Sequence, residues 1–338
     1  MTVDGFTIRA YEPGDEASIL DLFARAFHHP RDLAHWRWKY LDAPYGNLRI
    51  SVAVDADGRV VAHYAGYPVH FHRVLTGARE TFTAYQIGDT MTLPEARSIG
   101  RRSTSLLART ARHFYEDFCA GRVAFNFGFN AGGIQRFSTR LLNAERVEAV
   151  PFWSRERAAG PLPAPGRWRR FVDGLTVETV EAVDESWDTF FHDVAPAYSF
   201  LAQRDSRYVR WRYLERPDVP YLVLAVRCRR ALVCWGVFAR RDGVLVWGDA
   251  LVHPNHVGSV NLLLEAAGAH PMARGTRRVL GWFSPRPAWF ASALADLGFR
   301  REPEPQDLGL MCVPWQVDDA AAWIRRDLYY TYGDGDLF

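Results

Sequence analysis

The sequence predicts an α/β protein that contains two copies of one domain. Its 338 residues suit two domains of about 150 residues each. Strand-like apolar runs alternate with amphipathic helical segments in both halves of the chain. Short blocks of sequence also recur in the same order, which is typical of a duplicated domain.

The composition is that of an ordinary globular chain. The net charge of +2 is too small to indicate a nucleic acid or a membrane surface as partner. The four cysteines show no C-x-x-C pair and no zinc spacing, so we expect buried free thiols and no metal site. The first residues lack the pattern of a signal peptide, and no apolar run is long enough to span a bilayer. We therefore expect a cytoplasmic protein.

The first copy begins with a strand and two helices. A strand is predicted over residues 6–11, and apolar residues spaced three and four apart predict a helix that ends at His28. The segment 33–46 predicts an amphipathic helix that buries its aromatic side chains while Lys39 extends towards solvent. An Asp-Gly turn at 57–58 between two alternating runs predicts a hairpin. The other predicted elements are strands at 49–54, 60–72, 81–93, 123–129 and 146–153, and helices at 103–118 and 130–141.

A segment rich in proline, glycine and arginine separates the two copies. It has no apolar period, which is typical of a linker. The predicted organisation is a first domain at 1–156, a linker at 157–172, a second domain at 173–316 and a tail at 317–338.

Four blocks carry the duplication. The conserved order of these blocks, with slightly shorter loops in the second half, indicates one ancestral unit repeated. The matching blocks are residues 38–41 with 211–214, the hairpin at 49–72 with that at 221–243, Gly88, Asp89 and Pro94 with Gly248, Asp249 and Pro254, and residues 136–141 with 289–294.

The stretch from residue 85 to 107 is the most informative part of the chain. A strand ends at Pro94, and a basic loop containing glycine leads into a helix. Backbone N–H groups at a helix N-terminus bind anions, and Arg97, Arg101 and Arg102 supply guanidinium groups suited to a diphosphate. The second copy has no arginine at these positions, so we expect only the first copy to bind such a ligand.

This order of elements resembles the GNAT superfamily of acyl-CoA-dependent N-acyltransferases. Its signature, [Gln/Arg]-x-x-Gly-x-[Gly/Ala], is matched by Arg97 and Gly100, whereas Arg102 stands where a small residue is usual. The resemblance covers about residues 6–153 and, more faintly, 175–315. It implies two tandem domains, each with a mixed, mostly antiparallel, twisted sheet flanked by helices.

The resemblance also implies acetyl-CoA, or another acyl-CoA, as co-substrate. The backbone of Met91 and Thr92 would pair with the pantetheine arm, and the loop from Arg97 to Ser103 would hold the pyrophosphate. The binding residues expected on this basis are Met91, Thr92, Arg97, Ser98, Gly100, Arg101, Arg102, Ser103 and Asn130.

Acyl transfer to an amine requires a base for the amine and a proton source for the departing thiolate. Asp89 lies where superfamily members often carry the acidic base, although it could instead be a strand-end carboxylate bonded to backbone or to an arginine. The superfamily often has a tyrosine at the position of Phe137, which has no hydroxyl. Either Tyr85 or Tyr115 is therefore the candidate acid, or the thiolate leaves without help. The carboxylate of Phe338 is a further candidate base.

We therefore predict an N-acyltransferase, in the first instance an N-acetyltransferase, that acts on a primary amine of a small molecule by direct attack. One alternative is a Fem-like transferase that uses aminoacyl-tRNA or an acyl carrier protein, suggested by the basic segments 35–40 and 166–170. Another is an inactive binding protein, suggested by Arg102 and Phe137. Apart from tRNA in the first alternative, no nucleic acid or membrane partner is expected, and the chain is expected to be a monomer or homodimer.

Overall fold

The computed structural model describes residues 2–3, 5–46, 48–75, 78–100, 104–157 and 174–338. Tertiary contacts divide the chain into two compact units, each discontinuous in sequence. The first unit contains Met1–His70, Phe82–Ala149 and Leu308–Arg325, and the second contains Phe71–Thr81, Val150–Asp307 and Arg326–Phe338. The linker predicted at 157–172 lies almost wholly outside the described residues.

Strands and helices follow each other along both units. The strands are β1 (Thr2–Val3), β2 (Phe6–Ala10), β3 (Arg49–Val54), β4 (Val60–Leu75), β5 (Ala78–Thr92), β6 (Phe125–Asn130), β7 (Glu145–Ala149), β8 (Phe152–Glu156), β9 (Leu175–Thr179), β10 (Phe200–Ala202), β11 (Leu222–Cys228), β12 (Ala231–Arg241), β13 (Val244–Val252), β14 (Arg278–Trp282), β15 (Arg300–Glu302), β16 (Gly309–Pro314) and β17 (Leu328–Tyr329). The helices are α1 (Glu16–Phe27), α2 (Leu33–Tyr40), α3 (Leu106–Phe114), α4 (Gly132–Leu141), α5 (Glu185–Val194), α6 (Ser206–Val209), α7 (Ser259–Ala269), α8 (Ala288–Asp296) and α9 (Ala320–Asp327). Within the described ranges, no helix is both long enough and apolar enough to cross a membrane.

The sheet of the first unit runs in the order β1-β2-β3-β4-β5-β6-β16-β7. Strands β5 and β6 are parallel and pair at Tyr85 with Asn126 and at Gln86 with Phe127. Strand β16 pairs antiparallel with both β6 and β7. Helices α1, α2 and α3 bury their apolar sides against β3 and β4, in a core that includes Phe23, Trp36 and Leu106.

The second unit repeats this arrangement. Its sheet runs in the order β15-β8-β14-β13-β12-β11-β9, and β13 and β14 are parallel, with Leu245 opposite Val279 and Val246 opposite Leu280. Strand β10 pairs parallel with β17 and antiparallel with residues 71–73 of β4, and these pairings continue the sheet that contains β4. The mixed, mostly antiparallel sheets flanked by helices that the sequence predicts are confirmed in both units.

Two strands lie in a different unit from the one that the sequence boundaries give them. Strand β8, placed in the first domain by those boundaries, pairs with β14 and belongs to the second unit. Strand β16, placed in the second domain, belongs to the first unit. The predicted strand at 146–153 is in fact two strands, because the proline at 151 supplies no N–H for a sheet ladder. An alternating apolar run shows that a strand exists but not which distant strand it joins.

Helix α3 begins later than the residue 103 that the sequence indicates. The Ser105 hydroxyl accepts a hydrogen bond from the backbone N–H of Ala108 at 3.4 Å and so caps the helix. The N–H of Leu106 is bonded to the carbonyl of Ile99 at 3.1 Å, which closes the preceding loop. This capping side chain and this loop closure fix the first turn of the helix.

Candidate active site

A cleft opens in the first unit where β5 and β6 part. Their described parallel pairing ends after Gln86 and Phe127, although β5 continues to Thr92 and β6 to Asn130. Asp89 has a left-handed backbone, with φ of 50°, which interrupts the regular pleat of β5 at this point. The residues that line the cleft are Tyr64, Ile87, Thr90, Tyr115, Asn126, Phe127, Gly128, Asn130, Ser138, Ala144, Met311, Cys312 and Val313.

Gly128 allows the two strands to approach each other at the inner end of the cleft. A Cβ atom at this position would lie 3.2 Å from the carbonyl oxygen of Ile87, which is closer than side chains normally pack. Glycine in a strand often marks such a close backbone approach. The cleft therefore starts directly beyond a tight contact between β5 and β6.

Two of the tyrosines that line the cleft are linked through their hydroxyls. The hydroxyls of Tyr64 and Tyr115 lie 2.9 Å apart and share a hydrogen bond. Burial raises the pKa of both side chains above the ordinary tyrosine value, so both hydroxyls keep their protons well above neutral pH. At the outer end, the Asn130 amide donates to the Ser138 hydroxyl at 3.2 Å. With apolar side chains between these groups, the cleft suits an uncharged chain that carries amide groups.

Tyr85, which the sequence nominates as a catalytic acid, does not belong to this lining. It is 5% exposed, and its hydroxyl accepts a hydrogen bond from the Arg49 side chain at 3.2 Å. Its ring packs against Phe114 in the core beneath the cleft. Of the two candidate tyrosines, the structure brings Tyr115 into the cleft and keeps Tyr85 outside it.

Asp89, nominated as the base, is enclosed by cations. Its side chain is 7% exposed and pairs with Arg31 and, at 3.1 Å, with the ammonium of Lys39. The Tyr40 hydroxyl donates to the same carboxylate at 2.7 Å. Burial alone would raise the pKa of Asp89, but the charges of Arg31 and Lys39 outweigh burial and hold that pKa well below its ordinary value. Lys39 is 3% exposed and does not extend into solvent as the sequence suggests, because this carboxylate attracts it.

The second unit contains the same arrangement around Asp249. Its carboxylate accepts a hydrogen bond from the Tyr213 hydroxyl at 2.6 Å and pairs with Arg204 at 3.1 Å. Arg204 and Tyr213 follow Arg31 and Tyr40 by the same interval of 173 residues. Asp249 is fully buried. An Arg–Tyr–Asp cluster that is retained in a fully enclosed setting supports the structural interpretation of Asp89, and its role as base stays a prediction.

The proposed pyrophosphate loop is described only in part. Arg97 and Ser98 are exposed on a 3₁₀ turn at Pro94–Ser98, and Arg101, Arg102 and Ser103 lie outside the described residues. Gly100 has φ of 72°, and a Cβ there would lie 2.1 Å from the carbonyl oxygen of Thr104. Only glycine fits this conformation and this contact. The structure thus explains Gly100 of the signature by the shape of the loop.

The remaining sequence candidates lie on the two strands that form the cleft. Met91 and Thr92 are buried at the end of β5, with the Met91 side chain in the apolar core, and Asn130 lines the cleft at the end of β6. Pairing of the Met91 and Thr92 backbone with a ligand stays a prediction. Phe338, the further candidate base, is buried in the second unit, where its carbonyl oxygen accepts hydrogen bonds from Arg212 and Arg216.

Several lining residues were missed by the sequence reasoning. Gly128 could have been found, since Gly281 follows it at the 153-residue interval of the repeated helix block. Tyr64 and Ser138 carry no local signal of a site. Met311 and its neighbours on β16 were assigned to the other domain, so their place beside β6 could not be inferred.

Comparisons with known proteins agree with this geometry. Residues 7–138 match the family model described as an acetyltransferase (GNAT) domain. Residues 7–138 are a GNAT domain. The resemblance to the GNAT superfamily that the sequence suggests is therefore confirmed for this part of the chain, which contains both β5 and β6. A search of curated proteins finds no match.

Solved structures share the fold of this chain over almost its whole length. A GCN5-related N-acetyltransferase from Kribbella flavida is 16% identical with a TM-score of 0.64, and the match covers 95% of this chain and 73% of the other. A GCN5-related N-acetyltransferase from Anabaena variabilis is 14% identical, with a TM-score of 0.63 and coverage of 91% and 72%. The N-myristoyltransferase of Saccharomyces cerevisiae with bound myristoyl-CoA is 9% identical, with a TM-score of 0.57 and coverage of 93% and 80%. At these identities the similarity shows the fold alone.

Proposed function

We propose that this GNAT protein is an N-acyltransferase that moves an acyl group, in the first place acetyl, from acyl-CoA to a primary amine of a small molecule. The observation that carries the proposal is the cleft between β5 and β6, whose lining combines the hydrogen-bonded tyrosines Tyr64 and Tyr115 with apolar side chains. The yeast relative was solved with an acyl-CoA bound, which supports acyl-CoA as the donor for this fold.

The first unit offers suitable groups for each part of an acyl-CoA. The cleft between the strands would take the pantetheine arm, whose amides find polar partners in Thr90, Asn130 and Ser138. The loop that begins with Arg97 and turns at Gly100 would take the pyrophosphate, because guanidinium and backbone N–H donors suit phosphate oxygens. The cleft would thus hold the pantetheine arm and the loop that follows β5 would hold the pyrophosphate.

In the proposed reaction the neutral amine attacks the thioester carbonyl directly. The new C–N bond forms, the C–S bond breaks, and the amine proton passes to water or buffer. Tyr115 keeps its proton because burial raises its pKa, so its hydroxyl can donate a hydrogen bond to the sulfur as negative charge develops. The proposed step starts from a neutral amine, so the rise of the rate with pH would follow the ionisation of the amine, and a role of Asp89 as base stays a separate prediction.

Calorimetry with acetyl-CoA tests binding, and release of free thiol over a panel of primary amines tests turnover. We expect saturable heat with acetyl-CoA and thiol release with at least one amine. Absence of binding heat would contradict the proposal. Binding without turnover on any amine would instead favour the inactive binding protein, for which the burial of Asp89 among cations and the phenyl ring of Phe137 are the supporting observations.

Gly100→Ala is expected to lower the affinity for acetyl-CoA by about tenfold, because the added Cβ would collide with the Thr104 carbonyl and deform the loop. The matched control is Gly121→Ala. Gly121 also has a left-handed φ, of 69°, but nothing lies within 4 Å of its added Cβ. Both variants carry the same type of backbone strain, about 1–2 kcal/mol. If Gly100→Ala and Gly121→Ala bind acetyl-CoA with equal affinity in calorimetry, the loop is not part of the binding site.

The aminoacyl-tRNA alternative loses part of its support in the structure. It rested on basic side chains of the segment 35–40, but Lys39 there is buried against Asp89. The other basic segment, 166–170, lies outside the described residues. Binding that weakens steeply with salt concentration would favour the tRNA donor, whereas acetyl-CoA turnover with a weak salt dependence would favour the proposal.

A further inference from the structure

The second unit has its own counterpart of the cleft between β5 and β6. Strands β13 and β14 pair in parallel at two positions, and both positions correspond to those of β5 and β6. Gly281 then meets the carbonyl of Trp247, where a Cβ would lie 2.6 Å from the oxygen. Gly128 and Ile87 make the equivalent contact in the first unit. The two units therefore separate their central strands in the same way.

The segment 329–331 lies between these separated strands. On the β13 side, the Tyr329 hydroxyl donates to the carbonyl of Ala250 at 2.7 Å. On the β14 side, Thr331 forms an antiparallel bridge with Phe283, and the N–H of Ser284 donates to the carbonyl of Tyr330 at 2.9 Å.

These contacts fall on the counterparts of cleft residues. Ala250 corresponds to Thr90 by the 160-residue interval of β5 and β13, and Phe283 corresponds to Asn130 by the 153-residue interval of β6 and β14. Both Thr90 and Asn130 line the cleft of the first unit. The segment 329–331 therefore bonds to the positions that face the cleft in the other copy.

Residues 332–338 extend this contact over the parting point of the strands. The Tyr332 ring stacks on Trp282 with a centroid distance of 3.8 Å. Phe338 is fully buried against Gly248, where a Cβ would lie 1.9 Å from the phenyl ring. Arg212 donates to the carbonyls of Gly333 and Gly335, at 3.2 and 2.9 Å. Aromatic side chains and buried hydrogen bonds thus fix the whole segment 329–338.

We propose that residues 329–338 occupy the second unit's counterpart of the acyl-CoA cleft and close it to coenzyme A. The second cleft is then a peptide site that takes an aromatic segment of its own chain, held by a single antiparallel bridge just beyond the end of β14. One consequence is that each chain binds a single acyl-CoA, through its first unit. The second loop has no arginine, and the second cleft is occupied. These two separate observations both predict that the second unit binds no coenzyme A.

Hydrogen–deuterium exchange on the full chain tests the occupation directly and needs no coenzyme A. In the double variant Tyr332→Ala/Phe338→Ala, amide exchange at 281–284 and 329–331 is expected to rise by about tenfold, because the segment loses its two ring contacts. Leu337→Ala is the matched control, since the Leu337 side chain is 42% exposed in the same segment. Gly248→Ala is a second variant, which displaces the Phe338 ring from the other side. Unchanged exchange at 281–284 in both test variants would overturn the proposal.

Acetyl-CoA added to the unmodified chain gives an independent measurement. Native mass spectrometry is expected to show one bound acetyl-CoA per chain, with slower exchange around residues 87–90 and 128–130 and no change at 247–250 or 281–284. Two acetyl-CoA molecules bound per chain, or changed amide exchange at 247–250, would overturn the proposal that the second cleft is occupied. A chain that binds no acetyl-CoA would contradict the proposed function, and the variants above would then decide the occupation alone.

Discussion

Asp89→Asn is expected to destabilise the protein by about 3–5 kcal/mol, the usual cost of removing one partner from a buried ion pair. The substitution keeps the shape of the side chain but leaves Arg31 and Lys39 facing a neutral amide. The free energy of unfolding from urea denaturation measures the loss. If Asp89 is also the catalytic base, the variant would lose kcat in addition to stability, whereas unchanged stability would contradict the structural role.

An exposed ion pair in the same unit provides the control. Asp21 pairs with Arg59 at 3.0 Å with both side chains well exposed, so Asp21→Asn should cost between zero and about 1 kcal/mol. An equal loss for the two variants would show that the Asp89 cluster contributes no more than a surface pair. The repeat offers a second comparison, because Asp249→Asn is expected to cost as much as Asp89→Asn.

The difference in the free energy of unfolding between the parent protein and Asp89→Asn is expected to depend on pH. The folded-state pKa of Asp89 is held well below the value of an unfolded aspartate, which is about 3.9. The charged carboxylate therefore contributes its full stability above about pH 4 and loses it as the pH falls towards the folded-state pKa. The stability curves of the parent and Asp89→Asn should accordingly converge in acid and stay apart at neutral pH.

The sequence predicts the repeated architecture because repetition is itself visible. The blocks around Asp89 and Asp249 recur in order, and their enclosing partners, Arg31 with Tyr40 and Arg204 with Tyr213, recur at one interval. Hairpins and amphipathic helices are local patterns, so most of them were placed within a few residues of their observed bounds. The unit boundaries were placed differently because the positions of β8 and β16 depend on pairing between strands that are distant in sequence.

The candidate site was predicted less fully than the fold, and the reason is physical. The sequence pattern around a tyrosine in a strand or helix is the same whether its hydroxyl faces a cleft or a core. The sequence therefore could not show which of Tyr85 and Tyr115 lines the cleft. The same limit applies to Asp89, since a strand-end carboxylate does not reveal how many cations will enclose it. These distinctions arise from packing between β5, α2 and α3, which only the assembled unit shows.

Tyr115→Phe is expected to lower kcat for acetyl transfer by about 10²–10³-fold, the usual effect of removing one hydrogen-bond donor from a developing charge. Tyr115 lines the cleft, and burial raises its pKa and keeps the proton on its hydroxyl. For the same reason, the parent kcat should show no fall from tyrosine ionisation up to about pH 10. Steady-state kinetics with saturating acetyl-CoA and amine measures both effects.

Two other tyrosines make this prediction specific. Tyr64→Phe removes the same hydrogen bond from the other side, so Tyr64→Phe and Tyr115→Phe should lose similar stability, about 1 kcal/mol each. A fall in kcat that is confined to Tyr115→Phe then reports a loss of catalysis and not a loss of folding stability. Tyr85→Phe loses only the bond from Arg49 outside the cleft and should keep a kcat near that of the parent. If kcat instead falls in Tyr85→Phe and is unchanged in Tyr115→Phe, the proton donor is the residue that the structure keeps out of the cleft, and the proposed site is wrong.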